Sequence, residues 1–197
     1  MAKQIRRDHI FIAPDILGWR HDDGPKAFDL RIPDFLDPTD IDDKIIIYER
    51  QVKEWFLKRG TNLLRGENNG FVVLMICLSY FEGVELYKRG VINGRNQSSF
   101  HFRESVNRIY PNRFSEVELN SLYSSARCGL FHAGMVNAPI IISTEYYQPI
   151  EFVGQDTIKI NHKILLQDIK NDFNRYISDL KKDHLLRQNF DRCFSNI

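Results

Sequence analysis

Two residues near position 130 have the side-chain types that chemistry on phosphate esters requires. They are Arg127 and His132, in the run Ala126-Arg127-Cys128-Gly129-Leu130-Phe131-His132-Ala133-Gly134. Arginine keeps its charge, and its planar fork matches two phosphate oxygens at once. Histidine titrates at about 6.5 when unperturbed, so near neutral pH it can both take and give a proton. Phosphoryl transfer from a phosphate ester needs those abilities: a base, a cation for the developing phosphorane charge, and an acid for the leaving oxygen. The competing account of the pair is architectural, with His132 at a helix C-terminus and Arg127 paired with a carboxylate. A second Arg/His pair, Arg95 and His101, stands in Arg95-Asn96-Gln97-Ser98-Ser99-Phe100-His101.

Other residues offer less. Lys88, Arg89 and Arg95 cluster around a glycine-containing loop, and Arg103, Arg108 and Arg113 follow. They are candidates for holding RNA phosphates, or they form a solvated surface. Glu82 and Glu85, three apart, can orient Arg127 or act as acids themselves. His162 and His184 read as surface residues. The five Asp between 34 and 43 lack the spacing of a calcium loop. Cys77, Cys128 and Cys193 are far apart and form no CxxC pair, so neither a disulfide framework nor a zinc site is expected. No cofactor is expected, and a reducing cytoplasm fits this cysteine usage.

The helix that must carry the first pair is the best marked in the chain. Ser115-Glu116-Val117-Glu118 is a capping box, and Gly134 is a C-terminal stop. At 100° per residue, Leu119, Leu122, Tyr123, Ala126, Leu130 and Ala133 fall on one face. Ser124, Cys128 and His132 lie opposite, with Arg127 and Phe131 at the flank. Such a face on an already anchored helix predicts a second packed surface. Ser124, Cys128 and Phe131 would line a homodimer contact, or the N-terminal arm or the tail would cover them. Five residues on an ideal helix are 140° of rotation, so Arg127 and His132 would not sit side by side. They would converge if the helix tightens near Gly134, or across a two-fold axis.

Around that helix the sequence predicts a mainly α fold: a four- to five-helix bundle with an irregular N-terminal arm and a small β-hairpin or ribbon insertion. The single domain would comprise the arm at 1–37, a helical core at 38–136, the insertion at about 139–160, and a C-terminal helix and tail at 161–197. Asp37-Pro38-Thr39-Asp40 reads as the start of a helix over about 38–64, followed by helices over about 70–89 and 99–110. In the insertion, Ile150/Phe152 and Ile158/Ile160 should share one face, and Glu151 and Lys159 the other. Asn161 should cap a helix over about 162–182.

The nine residues 126–134 resemble the signature of the HEPN superfamily, small helical domains marked by Arg, four to six residues, then His. The resemblance implies a metal-independent endoribonuclease with a site at a homodimer interface, of the kind found among toxins and bacterial defence effectors. An antitoxin or defence-system protein would then be a partner. It equally implies the non-catalytic alternative, a dimeric module that binds RNA, a nucleotide or a protein. Cys128 stands where active members commonly carry Asn, Asp or His, whereas Arg95 is followed by Asn96. Composition sets the outer limits. Lys+Arg 27 against Asp+Glu 26 leaves no overall basic field for nucleic acid. The longest apolar run, Phe71 to Leu78, is too short for a membrane span of roughly 20 residues, and no signal peptide is expected.

Overall fold

The structure is a computed structural model that describes residues 10–21, 24–92, 97–134, 136, 140–154 and 157–194. The chain divides into two compact units, Met1–Phe56 and Leu57–Ile197.

The first unit corrects the expected irregular arm. Strands β1 (Ile10–Ala13), β2 (Ile16–His21), β3 (Gly24–Asp29) and β4 (Asp34–Leu36) form an antiparallel sheet in sequential order. Asp15, at φ 57°, turns β1 into β2. Gly18 lets β1 approach: a Cβ there would stand 2.5 Å from Ile12 Cγ2. Ala13, Ile16, Ala27, Asp29 and Leu36 are buried, whereas Phe11 and Phe35 are exposed. The buried positions thus mix Ile16 and Leu36 with two alanines and a carboxylate, while Phe11 and Phe35 are exposed, which hides the apolar alternation that announces a strand. Asp29 is satisfied by Arg50, whose Nη1 and Nη2 donate to its two oxygens at 2.6 Å, and by the Arg31 N–H. Arg50 ends helix α1 (Ile41–Arg50). That helix starts later than expected, because Asp40 rather than Asp37 is the cap, accepting from the Asp42 and Asp43 N–H groups. A π-helical stretch, Gln51–Leu57, follows.

The second unit is built on α3 (Gly70–Arg89). Helix α2 (Lys58–Leu63) precedes it, and α4 (Ser98–Ile109), α6 (His162–Leu180) and α7 (His184–Phe194) pack on it. Among the described residues, α3 is the one helix long and apolar enough to cross a membrane. Its Val73, Leu74, Cys77, Leu78, Phe81 and Val84 are buried among the other helices, as befits a core helix. It ends at Gly90, at φ 67°, where a Cβ would meet Asn189 Cα at 3.0 Å. Three buried or half-buried charges cross this core: Arg108 bonds Glu85 and Asp172, and the Tyr80 hydroxyl donates to Asp172 at 2.7 Å.

Helix α5 (Glu116–Leu122) begins at the expected capping box and passes directly into a second π-helical stretch, Tyr123–Ala133, closed by Gly134 at φ 68°. A second sheet follows, in the order β5-β7-β6: β5 (Ile140–Ile142), β6 (Ile150–Val153) and β7 (Thr157–Ile160). The β6–β7 hairpin has the expected facing, and pairs Ile150 with Ile160 and Glu151 with Lys159, while β5 adds a parallel strand. Two sheets of four and three strands, beside the helices, make this an α+β chain rather than a mainly α bundle.

Candidate functional site

The π-helical stretch determines where Arg127 points. In an α-helix Arg127 and His132 would be 140° apart; i→i+5 hydrogen bonding widens each turn, so residues five apart approach one face. Arg127 Nη1 accordingly lies 3.4 Å from His132 Nε2 within one chain. Widening, not the expected tightening near Gly134, produces the contact. Extended π-helix is uncommon and often marks functional positions.

The rest of the guanidinium is engaged just as specifically. Nε and Nη2 both donate to Glu82 Oε2, at 3.1 and 2.8 Å. Its charge lies over two rings, 5.7 Å from the Tyr123 centroid and 5.2 Å from that of Phe131. Glu82 comes from α3, and its other oxygen, Oε1, accepts from Ser98 Oγ at 2.7 Å, at the first turn of α4. Three elements therefore converge on one ion pair, whose side chains stay 19% and 20% exposed. That leaves the pair reachable from solvent.

The outward face is as the helical wheel predicts. Ser124, Phe131 and His132 are exposed and Cys128 is half-buried, while Leu119, Leu122, Ala126 and Leu130 are buried. Tyr123 departs from expectation. It is half-buried beside Arg127, and burial together with Cys128 raises its phenol pKa. Its place was legible in part, since Tyr123, Arg127 and Phe131 recur at steps of four. Ser98 carried no such signal.

The second pair is arranged differently. Arg95 lies outside the described residues. His101 is only 1% exposed, and neither ring nitrogen has a hydrogen-bond partner. Burial and the nearby Arg89 charge lower its pKa, holding it neutral. The other cations are engaged inside the unit. Lys88 lies over the Tyr176 ring at 4.5 Å, and burial, then Arg108, lower its pKa. Arg89 bonds Glu85 and Glu104, and Arg103 bonds Glu116 and the Ser99 carbonyl. Of the two acidic candidates, Glu82 orients Arg127, and Glu85 serves Arg89 and Arg108. His184 is exposed as expected; His162 is half-buried, its Nδ1 unpartnered, and burial lowers its pKa.

No group of three or more His, Cys, Asp or Glu able to hold a metal ion occurs among the described residues. The arrangement places a guanidinium between a carboxylate and an exposed imidazole. Comparison with protein-family models, with curated proteins and with solved structures finds no match to this chain.

Proposed function

We propose that the chain is an endoribonuclease that cleaves RNA by attack of the 2′-OH on the adjacent phosphate, with Arg127 and His132 at its site. The observation that carries the reading is the 3.4 Å approach of Arg127 Nη1 to an exposed His132, made by a π-helical stretch. A helix widened where a cation able to bind phosphate and a proton carrier stand five residues apart supports a chemical use. Arg127 takes the charge that builds on the phosphorane oxygens, and His132 moves a proton. The likeness of residues 126–134 to the HEPN signature supports the same reading. A cytoplasmic toxin or defence role, controlled by an antitoxin-like partner, belongs to this proposal, as does a homodimer through Ser124, Cys128 and Phe131.

The test is RNA incubated with the protein in excess chelator. Cleavage should leave a 2′,3′-cyclic phosphate, and Arg127→Ala and His132→Ala should each reduce its rate by at least ~100-fold. RNA bound but uncut by the wild-type protein would favour the binding-module alternative. The dimer is tested separately by light scattering, where Phe131→Glu should lower the mass if that face is the contact.

A further inference from the structure

We infer that Glu82 is the general base of this reaction and His132 its general acid, so that one chain carries a complete site. The inference rests on the endoribonuclease reading and assigns a role which that reading leaves open.

The argument starts from counting donors and acceptors. A guanidinium has five N–H groups. Nε–H and one Nη2–H go to Glu82 Oε2. One Nη1–H faces His132 Nε2 at 3.4 Å, and one Nη2–H and one Nη1–H remain on the edge between Glu82 and His132. A phosphate gripped by that edge has the carboxylate on one flank and the imidazole on the other. In-line displacement needs this disposition, because the attacking 2′-oxygen and the leaving 5′-oxygen lie on opposite sides of phosphorus.

Glu82 also keeps an acceptor position open. An ionised carboxylate has about four lone-pair sites. Arg127 fills two on Oε2, and Ser98 Oγ fills one on Oε1. The remaining site on Oε1 belongs to an oxygen whose direction is fixed by Ser98. Orientation alone does not require a full negative charge here. A carboxamide or a main-chain carbonyl would hold Arg127 without repelling the RNA phosphate. The carboxylate neutralises Arg127, and its open Oε1 position gives a proton a place to go.

The step balances within the site. The 2′-O–H bond breaks and its proton passes to Glu82 Oε1. The 2′-oxygen bonds to phosphorus, the P–5′-O bond breaks with its electron pair, and the 5′-oxygen takes the proton of a protonated His132. The products are a 2′,3′-cyclic phosphate and a 5′-hydroxyl. Water then returns the proton from Glu82 to His132 for the next turnover.

The experiment compares full-length wild type, Glu82→Gln and His132→Ala, with a fluorescent random-sequence RNA as probe. Glu82→Gln should lower kcat by at least ~100-fold with little change in KM. An RNA with sulfur in place of the bridging 5′-oxygen separates the roles, because a thiolate leaves without an acid. On it, His132→Ala should regain most of its rate and Glu82→Gln should not. Mixing the two variants should restore nothing. The inference is overturned if Glu82→Gln cleaves within about threefold of wild type, which is the mark of a residue that only orients Arg127. It is also overturned if sulfur rescues Glu82→Gln instead, or if mixing restores activity. Failure of the underlying reading looks different: no cleavage by wild type, or cleavage indifferent to His132→Ala.

Discussion

At the scale of single residues, environment rather than identity separates the histidines and arginines. His101 and His132 have the same ring, but His101 is enclosed with neither nitrogen hydrogen-bonded and its pKa lowered, while His132 stands in solvent beside a guanidinium. Arg89, Arg103 and Arg108 each satisfy carboxylates inside the unit. Arg127 does so too, yet its remaining donors face an exposed imidazole. The value of Arg127 is therefore its shape. It reaches Glu82 with one edge and His132 with another while lying between the Tyr123 and Phe131 rings. Lysine keeps the charge but offers one nitrogen and no plane to stack. Arg127→Lys should accordingly lower kcat/KM by about 100-fold, close to the loss in Arg127→Ala, in the chelator assay. A lysine variant with near wild-type rate would mean that charge alone suffices.

At the scale of elements, the helix that carries the site is anchored at one end and widened at the other. Ser115 Oγ accepts from the Glu118 N–H at 3.3 Å, and Glu118 Oε2 accepts from the Ser115 N–H at 2.8 Å. Helix α5 is seven residues long, so this cap secures much of its hydrogen bonding before the π-helical stretch begins. Ser115→Ala should cost about 1 kcal/mol, a fall in Tm of about 2–4 °C in a thermal melt. Its effect on cleavage should be small, because the cap lies three turns from Arg127. The capping box, the Gly134 stop, the Asn161 cap and the shared face of Glu151 and Lys159 were all legible, because each depends on residues close in sequence. The widening after Leu122 was not. A helical wheel assumes 100° per residue throughout, and nothing in Tyr123-Ser124-Ser125-Ala126 signals a longer turn. The Arg127–His132 contact was therefore predictable as a pairing of chemistries but not as a distance. The sheet β1–β4 was hidden for another reason. Its buried face is Ile16, Gly18, Ala27, Asp29 and Leu36, while Phe11 and Phe35 face outward, so its alternation is not one of hydrophobicity.

At the scale of the whole molecule, the two units depend on different interactions. The second has a broad apolar core around α3; the first has a small one, organised about a buried charge. Asp29 is 0% exposed and joined to Arg50 at 2.6 Å. Burial alone would raise its pKa, but the Arg50 hydrogen bonds, the Arg31 N–H and the two guanidinium charges outweigh it, and the folded value lies below the ordinary 3.8. A carboxyl with a depressed folded pKa contributes stability that is fully present above its unfolded value and lost as pH falls through the folded one. The first unit should therefore hold constant stability from neutral pH down to about pH 4 and weaken below that. Asp29→Asn removes the titration and leaves Arg50 facing a neutral amide, so it should destabilise the unit at pH 7, by about 3–5 kcal/mol for a broken buried pair. Below pH 4 the gap between variant and wild type should narrow. Both tryptophans, Trp19 and Trp55, belong to the first unit, so urea unfolding of the full chain followed by tryptophan fluorescence reads that unit alone. A wild type and an Asp29→Asn protein whose urea midpoints stay equally far apart from pH 7 to pH 2.5 would show that the Asp29–Arg50 pair is not the source of the acid sensitivity.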